Sequence, residues 1–239
     1  MLGAAVRFVC LSICRDVISG KITPHWYPHT HRIEWIADGI VHIVALMLAL
    51  IGIGWMLVVA IDHGSAALMA ALAIYSVCLL AMLGCSALYN TNRNIDRSER
   101  YARLDLAGIY LMIAGTYTPL VSMKLPIEWA VVLLTFVWLG ALGGVSLKLL
   151  TSWHDKRLIV SFYVALGWVA VVAAEPLFRS MSGEAMALLV AGGLLYTVGI
   201  IFHLWKDLRF NAAIWHVFVV SAAICHFAAI FLDVAAAQN

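Results

Sequence analysis

Charged side chains are scarce in this chain: only 12% of its 239 residues are Asp, Glu, Lys or Arg, whereas 64% are hydrophobic. So little charge leaves no room for a soluble domain beside the apolar segments. Cysteine is also sparse, and the five cysteines are an odd number. Cys78, Cys85 and Cys225 fall inside apolar segments, so neither a disulfide framework nor a zinc knuckle is indicated.

Long polar segments are missing as well, and seven apolar runs fill the chain instead. Each run is near or above the ~20 residues that a helix needs to cross a bilayer. The runs are 33–61, 66–89, 104–123, 127–149, 157–175, 185–205 and 213–235. The sequence therefore predicts an all-α integral membrane protein, a bundle of seven transmembrane helices. We expect one membrane domain over 33–235, a cytoplasmic or interfacial N-terminal segment over 1–32 and a short tail over 236–239.

Positive charge is nearly absent from one side of this predicted bundle. If the segment before the first run is placed in the cytoplasm, all but Lys124 and Arg179 of the 15 Lys and Arg residues fall inside. Cytoplasmic loops of membrane proteins carry such an excess. We therefore expect a cytoplasmic amino terminus and an external carboxyl terminus. The net charge of +2 follows from this topology, so membrane lipids rather than nucleic acid are the expected partners.

A polar stripe interrupts the first apolar run. Glu34, Asp38 and His42 are spaced i, i+4, i+8, which places them on one side of a helix, with His42 ~12 Å deeper than Glu34. Glu34 can be explained as a first-turn acid that complements the helix dipole. Asp38 and His42 lie too far along the helix for that explanation, and an ionisable residue in lipid is costly. We interpret the stripe as functional and directed into the bundle.

Other polar residues reach the same layer from other helices. Ser86 and Asn90 share a face near the end of the second run, Asp105 begins the third, and His216 begins the seventh. His226 lies ~15 Å deeper on the seventh helix. Singly, Asn90 can be a helix C-cap, Asp105 a first-turn acid and Ser86 a small packing residue. Together with Asp38 they favour a buried polar site in the inner half of the bundle.

Several motifs then resemble one known family. Ser86-Ala-Leu-Tyr is followed by Asp105 and by the block Ile109-Tyr110-Leu-Met-Ile-Ala-Gly-Thr-Tyr-Thr-Pro119. Later come Gly192-Gly-Leu-Leu-Tyr-Thr-Val-Gly199, Ala213-Ile-Trp-His216 and Cys225-His226-Phe227. These motifs resemble the bacterial haemolysin III branch of the progestin and adiponectin receptor family over nearly all of 33–235. The resemblance implies a seven-helix bundle with a cytoplasmic amino terminus, resident in a bacterial cytoplasmic (inner) membrane.

The resemblance also implies a zinc site, and here the chain departs from the family. In that family three histidines hold zinc near the cytoplasmic side, with a Ser and an Asp close by. Ser86 and Asp105 match the last two, and His216 matches one histidine. Asn90 and Ala212 stand at the other two ligand positions. Because tight zinc binding needs several ligands in a fixed shell, we predict a degenerate site with no cofactor.

A rebuilt zinc site is the alternative to that prediction. His203, at the end of the sixth run on the same side, is the first candidate for a replacement ligand. Cys85, His42 and His226 are the others, if they turn inward.

Three functions follow from these residues. The favoured hypothesis is a non-catalytic member of the family that acts in membrane homeostasis, in response to lipid composition or membrane energetics. The alternative is a zinc-dependent membrane hydrolase of lipid amides or esters, with His216 and His203 as ligands, Asp105 positioning water and Ser86 bonding the oxyanion. A third hypothesis is a channel or pore that depends on Asp38 and His42.

Overall fold

A computed structural model describes residues 32–61, 65–92, 95–150, 156–205 and 207–236. The N-terminal segment predicted over 1–32 lies outside these residues except for Arg32, and the tail predicted over 236–239 lies outside them except for Ala236. Within the described ranges the chain is helical and contains no strand.

Eight α-helices and one 3₁₀ segment make up the described chain. They are α1 Arg32–Ile61, α2 Ala66–Thr91, α3 Ile95–Lys124, α4 Ile127–Leu150, α5 Lys156–Gly167, the 3₁₀ segment Trp168–Ala173, α6 Ala174–Ser180, α7 Gly183–Leu204 and α8 Asn211–Ala236. Seven spans are long and apolar enough to cross a membrane, and α5, the 3₁₀ segment and α6 together form the fifth. The predicted seven-helix membrane architecture is confirmed.

Helices α1, α3, α5 and α8 begin at one end of the bundle, which we call the basic end. Arg32, Arg100, Arg103 and Arg209 lie there, whereas Lys124 and Arg179 lie at the opposite end. Isoleucines and leucines are widely exposed along the spans, for example Ile51 at 65% and Leu139 at 67%. Helices that are apolar on their outer surface are stable in lipid, where water does not compete for the backbone.

Helix α3 begins nine residues before the apolar run that predicted it. The extra turns carry charge, and Arg103 donates to the Glu99 carboxylate at 2.7 Å one turn away. Such pairs stabilise a helix that hydropathy alone does not reveal. Pro119 lies in the second half of α3, where a proline commonly ends a helix. Here the helix continues to Lys124.

The fifth span is broken where the 3₁₀ segment replaces regular α-helix. Tyr117 of α3 closes this break: its hydroxyl donates to the Gly167 carbonyl at 2.7 Å and accepts the Ala170 N–H at 2.7 Å. Backbone groups left unpaired in lipid would each cost several kcal/mol. The Tyr117 hydroxyl therefore supplies both the donor and the acceptor that these two backbone groups lack at the break.

Small residues let α3 lie at the middle of the bundle, in contact with α2, α4, α5 and α8. The Tyr110 ring lies 2.6 Å from where a Cβ would stand at Gly144 of α4. Gly115 of α3 meets the Cys78 side chain of α2 just as closely. Any side chain at these glycines would push α3 away from its neighbours.

Candidate functional site

Four side chains from three helices meet in the half of the bundle nearer the basic end. Helix α1 supplies Asp38 and His42, α2 supplies Ser86 and α8 supplies His216; we call these four the polar centre. His216 Nδ1 lies 2.6 Å from Asp38 Oδ1, and His42 Nδ1 lies 2.8 Å from the Asp38 carbonyl oxygen. Asp38 is 0% exposed and His42 is 4% exposed. The centre is thus closed off from lipid.

The hydrogen bonds of the polar centre fix the tautomer of both imidazoles. A carboxylate and a carbonyl oxygen can only accept, so the Nδ1 atoms of His216 and His42 must carry the hydrogen. The Nε2 lone pairs then point at one hydroxyl: Ser86 Oγ is 3.2 Å from His42 Nε2 and 3.4 Å from His216 Nε2. Since that hydroxyl has a single hydrogen, it can satisfy only one of them. The arrangement favours a cation, either a proton or a metal ion, between the two rings.

Two further predicted residues border the polar centre. Asn90 lies one turn after Ser86 and donates from Nδ2 to the Ser86 carbonyl at 2.9 Å and to Ser86 Oγ at 3.4 Å. Asp105 of α3 lies near Ser86 and close enough to His216 and Asp38 to interact with them electrostatically. The layer predicted from the sequence is therefore present, with Asp38, Ser86, Asn90, Asp105 and His216 together.

The polar centre contains donors suited to a metal ion. One ligand atom each from Asp38, His42 and His216 lie within 4.8 Å of one another. Two imidazoles and one carboxylate form the ligand type of several catalytic zinc sites. Each ring is also anchored through its other nitrogen, as metal-binding histidines commonly are. The residues present therefore fit zinc.

The model of one protein family, described as haemolysin-III related, matches residues 32–227. The chain belongs to the haemolysin III-related family. It is 35% identical to Hemolysin-3 of Bacillus cereus over 196 residues, which cover 81% of this chain and 89% of that protein. It is 34% identical to the Hemolysin-3 homolog of Bacillus subtilis (strain 168) over 194 residues, or 81% and 91% of the two chains.

A more distant haemolysin III relative comes from animals. The chain is 31% identical to the human monocyte to macrophage differentiation factor over 126 residues, 52% of this chain and 51% of that one. The seven spans and the bacterial relatives together make this a multi-pass membrane protein.

The family resemblance implies three zinc-binding histidines, and in this chain two of those three positions carry other residues. Asn90 lies against Ser86, Ala212 is half-buried in the first turn of α8, and neither can act as an imidazole ligand. His203 of α7 lies outside the polar centre, with its ring centroid 5.0 Å from that of Trp215. His42 is the residue that joins His216, and their ring centroids are 4.4 Å apart.

Two residues of the predicted polar pocket lie apart from the polar centre. Glu34 is at the basic end, where its Oε1 is 3.7 Å from Nε of the exposed Arg209. His226 lies further along α8, with Nε2 3.2 Å from the Leu189 carbonyl oxygen of α7. The polar stripe of α1 is therefore divided: Glu34 forms an ion pair at the basic end, and Asp38 and His42 belong to the polar centre.

The close pairing of His42 with His216 is the feature that sequence reasoning weighted least. The sequence named His42 as one of several replacement ligands but ranked His203 first. The i, i+4 spacing of Asp38 and His42, in the same layer as Ser86, was the available signal. That signal does not show how far α8 leans towards α1, which is what brings the two rings together.

An apolar cavity of about 280 Å³ lies inside the bundle. Its walls come from α3, the broken fifth span, α7 and α8. Trp215, the neighbour of His216 in the chain, is part of the wall, as are Trp168 and Tyr117 at the break. A cavity with this lining is suited to hydrocarbon.

Proposed function

We propose that this protein is a metal-dependent hydrolase of ester or amide bonds in membrane lipids, and that it acts in this way in membrane homeostasis. The observation that carries the proposal is the convergence of Asp38, His42 and His216 donors within 4.8 Å. The sequence favoured a non-catalytic protein because two family ligands are replaced. His42, one of the replacement ligands considered from the sequence, and Asp38 supply the missing donors.

Zinc held by His42, His216 and Asp38 would act as a Lewis acid and would activate a water molecule near neutral pH. The chain's own residues do the rest. Asp38 Oδ1 accepts from His216 Nδ1–H and the Asp38 backbone carbonyl accepts from His42 Nδ1–H, so that both Nε2 atoms are directed at the reaction space and Oδ2 is the carboxylate oxygen left for the metal.

Asp105 and Ser86 are placed for proton transfer and charge stabilisation. Asp105 lies near Ser86 and carries a carboxylate that can accept a proton from the attacking water molecule and return it to the leaving alkoxide or amine. Ser86 can then donate a hydrogen bond from its hydroxyl to the oxyanion that forms on the scissile carbonyl. Asn90 holds Ser86 in place through its two hydrogen bonds.

The cavity supplies the place for the acyl chain of the substrate. Trp215, the residue before His216 in the chain, is part of its wall, and its lining is almost wholly apolar. A lipid entering with its chain in the cavity would bring its carbonyl towards the polar centre. We place this site in the cytoplasmic half of the bacterial inner membrane, because the positive charge lies at that end.

The deciding experiment is elemental analysis of zinc-replete, detergent-purified protein. We expect about one zinc ion per chain, lost in His216→Ala and His42→Ala. His203→Ala is the matched control, since it removes a histidine near the same end but outside the polar centre, and it should retain zinc. The double variant Asn90→His, Ala212→His tests the family register and should bind zinc in either case.

Hydrolysis is then followed with lipid esters and amides, before and after removal of zinc by a chelator. Protein that contains no zinc after preparation in its presence would overturn the proposal.

The non-catalytic homeostasis role is the second candidate, favoured by a different observation. The polar centre is already linked by hydrogen bonds among its own side chains, so it can be stable without metal. In that case a deletion phenotype in lipid composition, fluidity or membrane potential should be rescued by Asp105→Ala. Under the hydrolase proposal the same variant fails to rescue.

A further inference from the structure

A second group of polar side chains lies deeper in the bundle, away from the polar centre. Tyr75 of α2, Tyr196 of α7 and His226 of α8 form it, and we call it the tyrosine site. His226 follows His216 by ten residues on α8, which places it ~15 Å further along the helix. The proposed hydrolysis does not use these polar groups.

Both phenol hydroxyls of the tyrosine site lack a partner. The hydroxyls of Tyr75 and Tyr196 are buried, and neither has a hydrogen-bond partner among the residues that the structure describes. The two phenols are close enough to interact electrostatically. A buried hydroxyl without a hydrogen bond is costly, and more so in lipid than in a soluble protein. Two such groups in the same part of the bundle indicate a place for a polar atom supplied from outside the protein.

His226 completes the tyrosine site with an acceptor. Its Nε2 lies 3.2 Å from the Leu189 carbonyl oxygen, which can only accept, so Nε2 carries the hydrogen and Nδ1 has the lone pair. The His226 ring lies 5.6 Å from the Tyr196 ring between centroids. Gly192 makes room for it, because a Cβ at that position would clash with the imidazole. The site thus combines two hydroxyl donors with one nitrogen acceptor.

The tyrosine site borders the apolar cavity: Tyr196 and His226 are part of the cavity wall, whereas Tyr75 is fully buried and is not part of it. Three other hydroxyls of the wall, those of two threonines and Tyr117, are already used by the protein. Thr116 donates to the Met112 carbonyl at 2.9 Å and Thr197 to the Gly193 carbonyl at 2.8 Å. Tyr117 is engaged at the break in the fifth span. The tyrosine site, together with the Tyr163 hydroxyl on α5, is therefore where the cavity can offer hydrogen bonds to a guest.

We propose that the tyrosine site binds the hydroxyl group of a hydroxylated lipid chain lying in the cavity. A hydroxyl can donate to His226 Nδ1 and accept from the two phenols, which no plain hydrocarbon can do. The rest of the lipid chain contacts the apolar walls of the cavity, where a water molecule would find no hydrogen-bond partner. A guest with one hydroxyl on a long hydrocarbon matches the whole cavity. This binding needs neither the metal nor the hydrolysis proposed above.

The test compares ricinoleate with oleate, two acyl chains that differ by one mid-chain hydroxyl. Binding of each radiolabelled lipid is measured on metal-free, detergent-purified full-length protein. We expect ricinoleate to bind roughly fivefold more tightly, as one well-placed buried hydrogen bond provides. Tyr196→Phe and Tyr75→Phe should each reduce that ratio to about one while oleate binding is retained.

Tyr163→Phe is the matched control, because Tyr163 also lines the cavity but lies on α5, outside the tyrosine site. It should preserve the preference for ricinoleate. Retained oleate binding shows that each variant is folded, so a lost preference reports on the hydroxyl. Equal affinity of the wild type for both lipids would mean that the site holds only a buried water, and would overturn the proposal. A preference that persists in both Tyr variants would overturn it as well.

Discussion

The polar centre and the deeper half of the bundle treat buried polar groups in opposite ways. In the polar centre, Asp38, His42, Ser86 and His216 bond to one another across three helices. Further from the basic end, the Tyr75 and Tyr196 hydroxyls and Asp233 Oδ2 have no hydrogen-bond partner within the described part of the chain. The first region is organised by its own contacts. The second keeps hydrogen-bonding capacity that its own side chains leave unused.

The ion pair at the far end shows how strongly that second region depends on single contacts. Lys124 Nζ lies 2.9 Å from Asp233 Oδ1, and Asp233 is 4% exposed. This pair joins the last turn of α3 to the last turns of α8. Lys124 is one of the two cations that the charge distribution places outside, and here it has a structural reason to be there.

The largest effect that we predict comes from breaking this pair. Lys124→Ala leaves a buried carboxylate without its cation and should lower the free energy of unfolding by ~3–5 kcal/mol. The measurement is unfolding of the detergent-purified protein. The double variant Lys124→Ala, Asp233→Leu should recover most of the loss. Arg179→Ala, which breaks an exposed pair with Glu175, should cost at most ~0.5 kcal/mol; an equal loss in both single variants would contradict this interpretation.

A smaller loss is expected at the break in the fifth span. Tyr117→Phe removes one donor and one acceptor and leaves the Gly167 carbonyl and the Ala170 N–H unpaired. We expect a loss of ~2 kcal/mol in the same unfolding measurement. Thr116→Val is the control, since the Thr116 hydroxyl only adds a bond to a carbonyl of its own helix. If both variants lose equally little stability, the Tyr117 hydroxyl is not what holds the 3₁₀ segment in place.

Within the polar centre, removal of charge should affect metal affinity more than folding. Asp38→Asn keeps an oxygen that accepts from His216 Nδ1–H, so the expected loss of stability is only ~1 kcal/mol. Zinc affinity should fall by roughly tenfold or more, because the ligand or its orienting partner has lost its charge. A competition titration with a chelator measures it. Glu34→Gln, on the same face of α1 but at the surface, should leave zinc affinity unchanged.

The smallest effect sharpens the comparison between the two regions. Tyr75→Phe removes a hydroxyl that has no partner, so stability in the absence of lipid should stay the same or rise by up to ~1 kcal/mol. Tyr110→Phe is its counterpart, since that hydroxyl donates to the Ile159 carbonyl at 3.4 Å. Stability should fall in Tyr110→Phe. A loss in Tyr75→Phe as large as that would show that the Tyr75 hydroxyl is already bonded.

The fold could be predicted from the sequence because the bilayer imposes a length that hydropathy can measure. Every apolar run became a span, including the one that contains Pro119. Hydropathy does not reveal local structure that depends on specific side-chain contacts. Helix α3 begins in a charged stretch that includes the Glu99–Arg103 pair, and the break at Trp168–Ala173 is bonded to a tyrosine from another helix.

The layer of the candidate site was also predictable, because helix direction and rise determine depth. Asp38, Ser86, Asn90, Asp105 and His216 were placed in one layer from topology alone. Which side chains touch within a layer depends on helix rotation and tilt, and these follow from packing at residues such as Gly115 and Gly144. For that reason the sequence ranked His203 above His42, whereas the structure brings His42 to His216.

The broken fifth span has a mechanical consequence. An unbroken helix transmits a push along its axis, because each turn is hydrogen-bonded to the next. Here α5 and α6 are joined by a segment held sideways to α3 through a single oxygen of Tyr117. Displacement of α6 by a guest in the cavity would be absorbed at that joint, so that α5 stays at rest. Strain from a passing lipid would then be kept away from the side of the bundle that carries the two imidazoles.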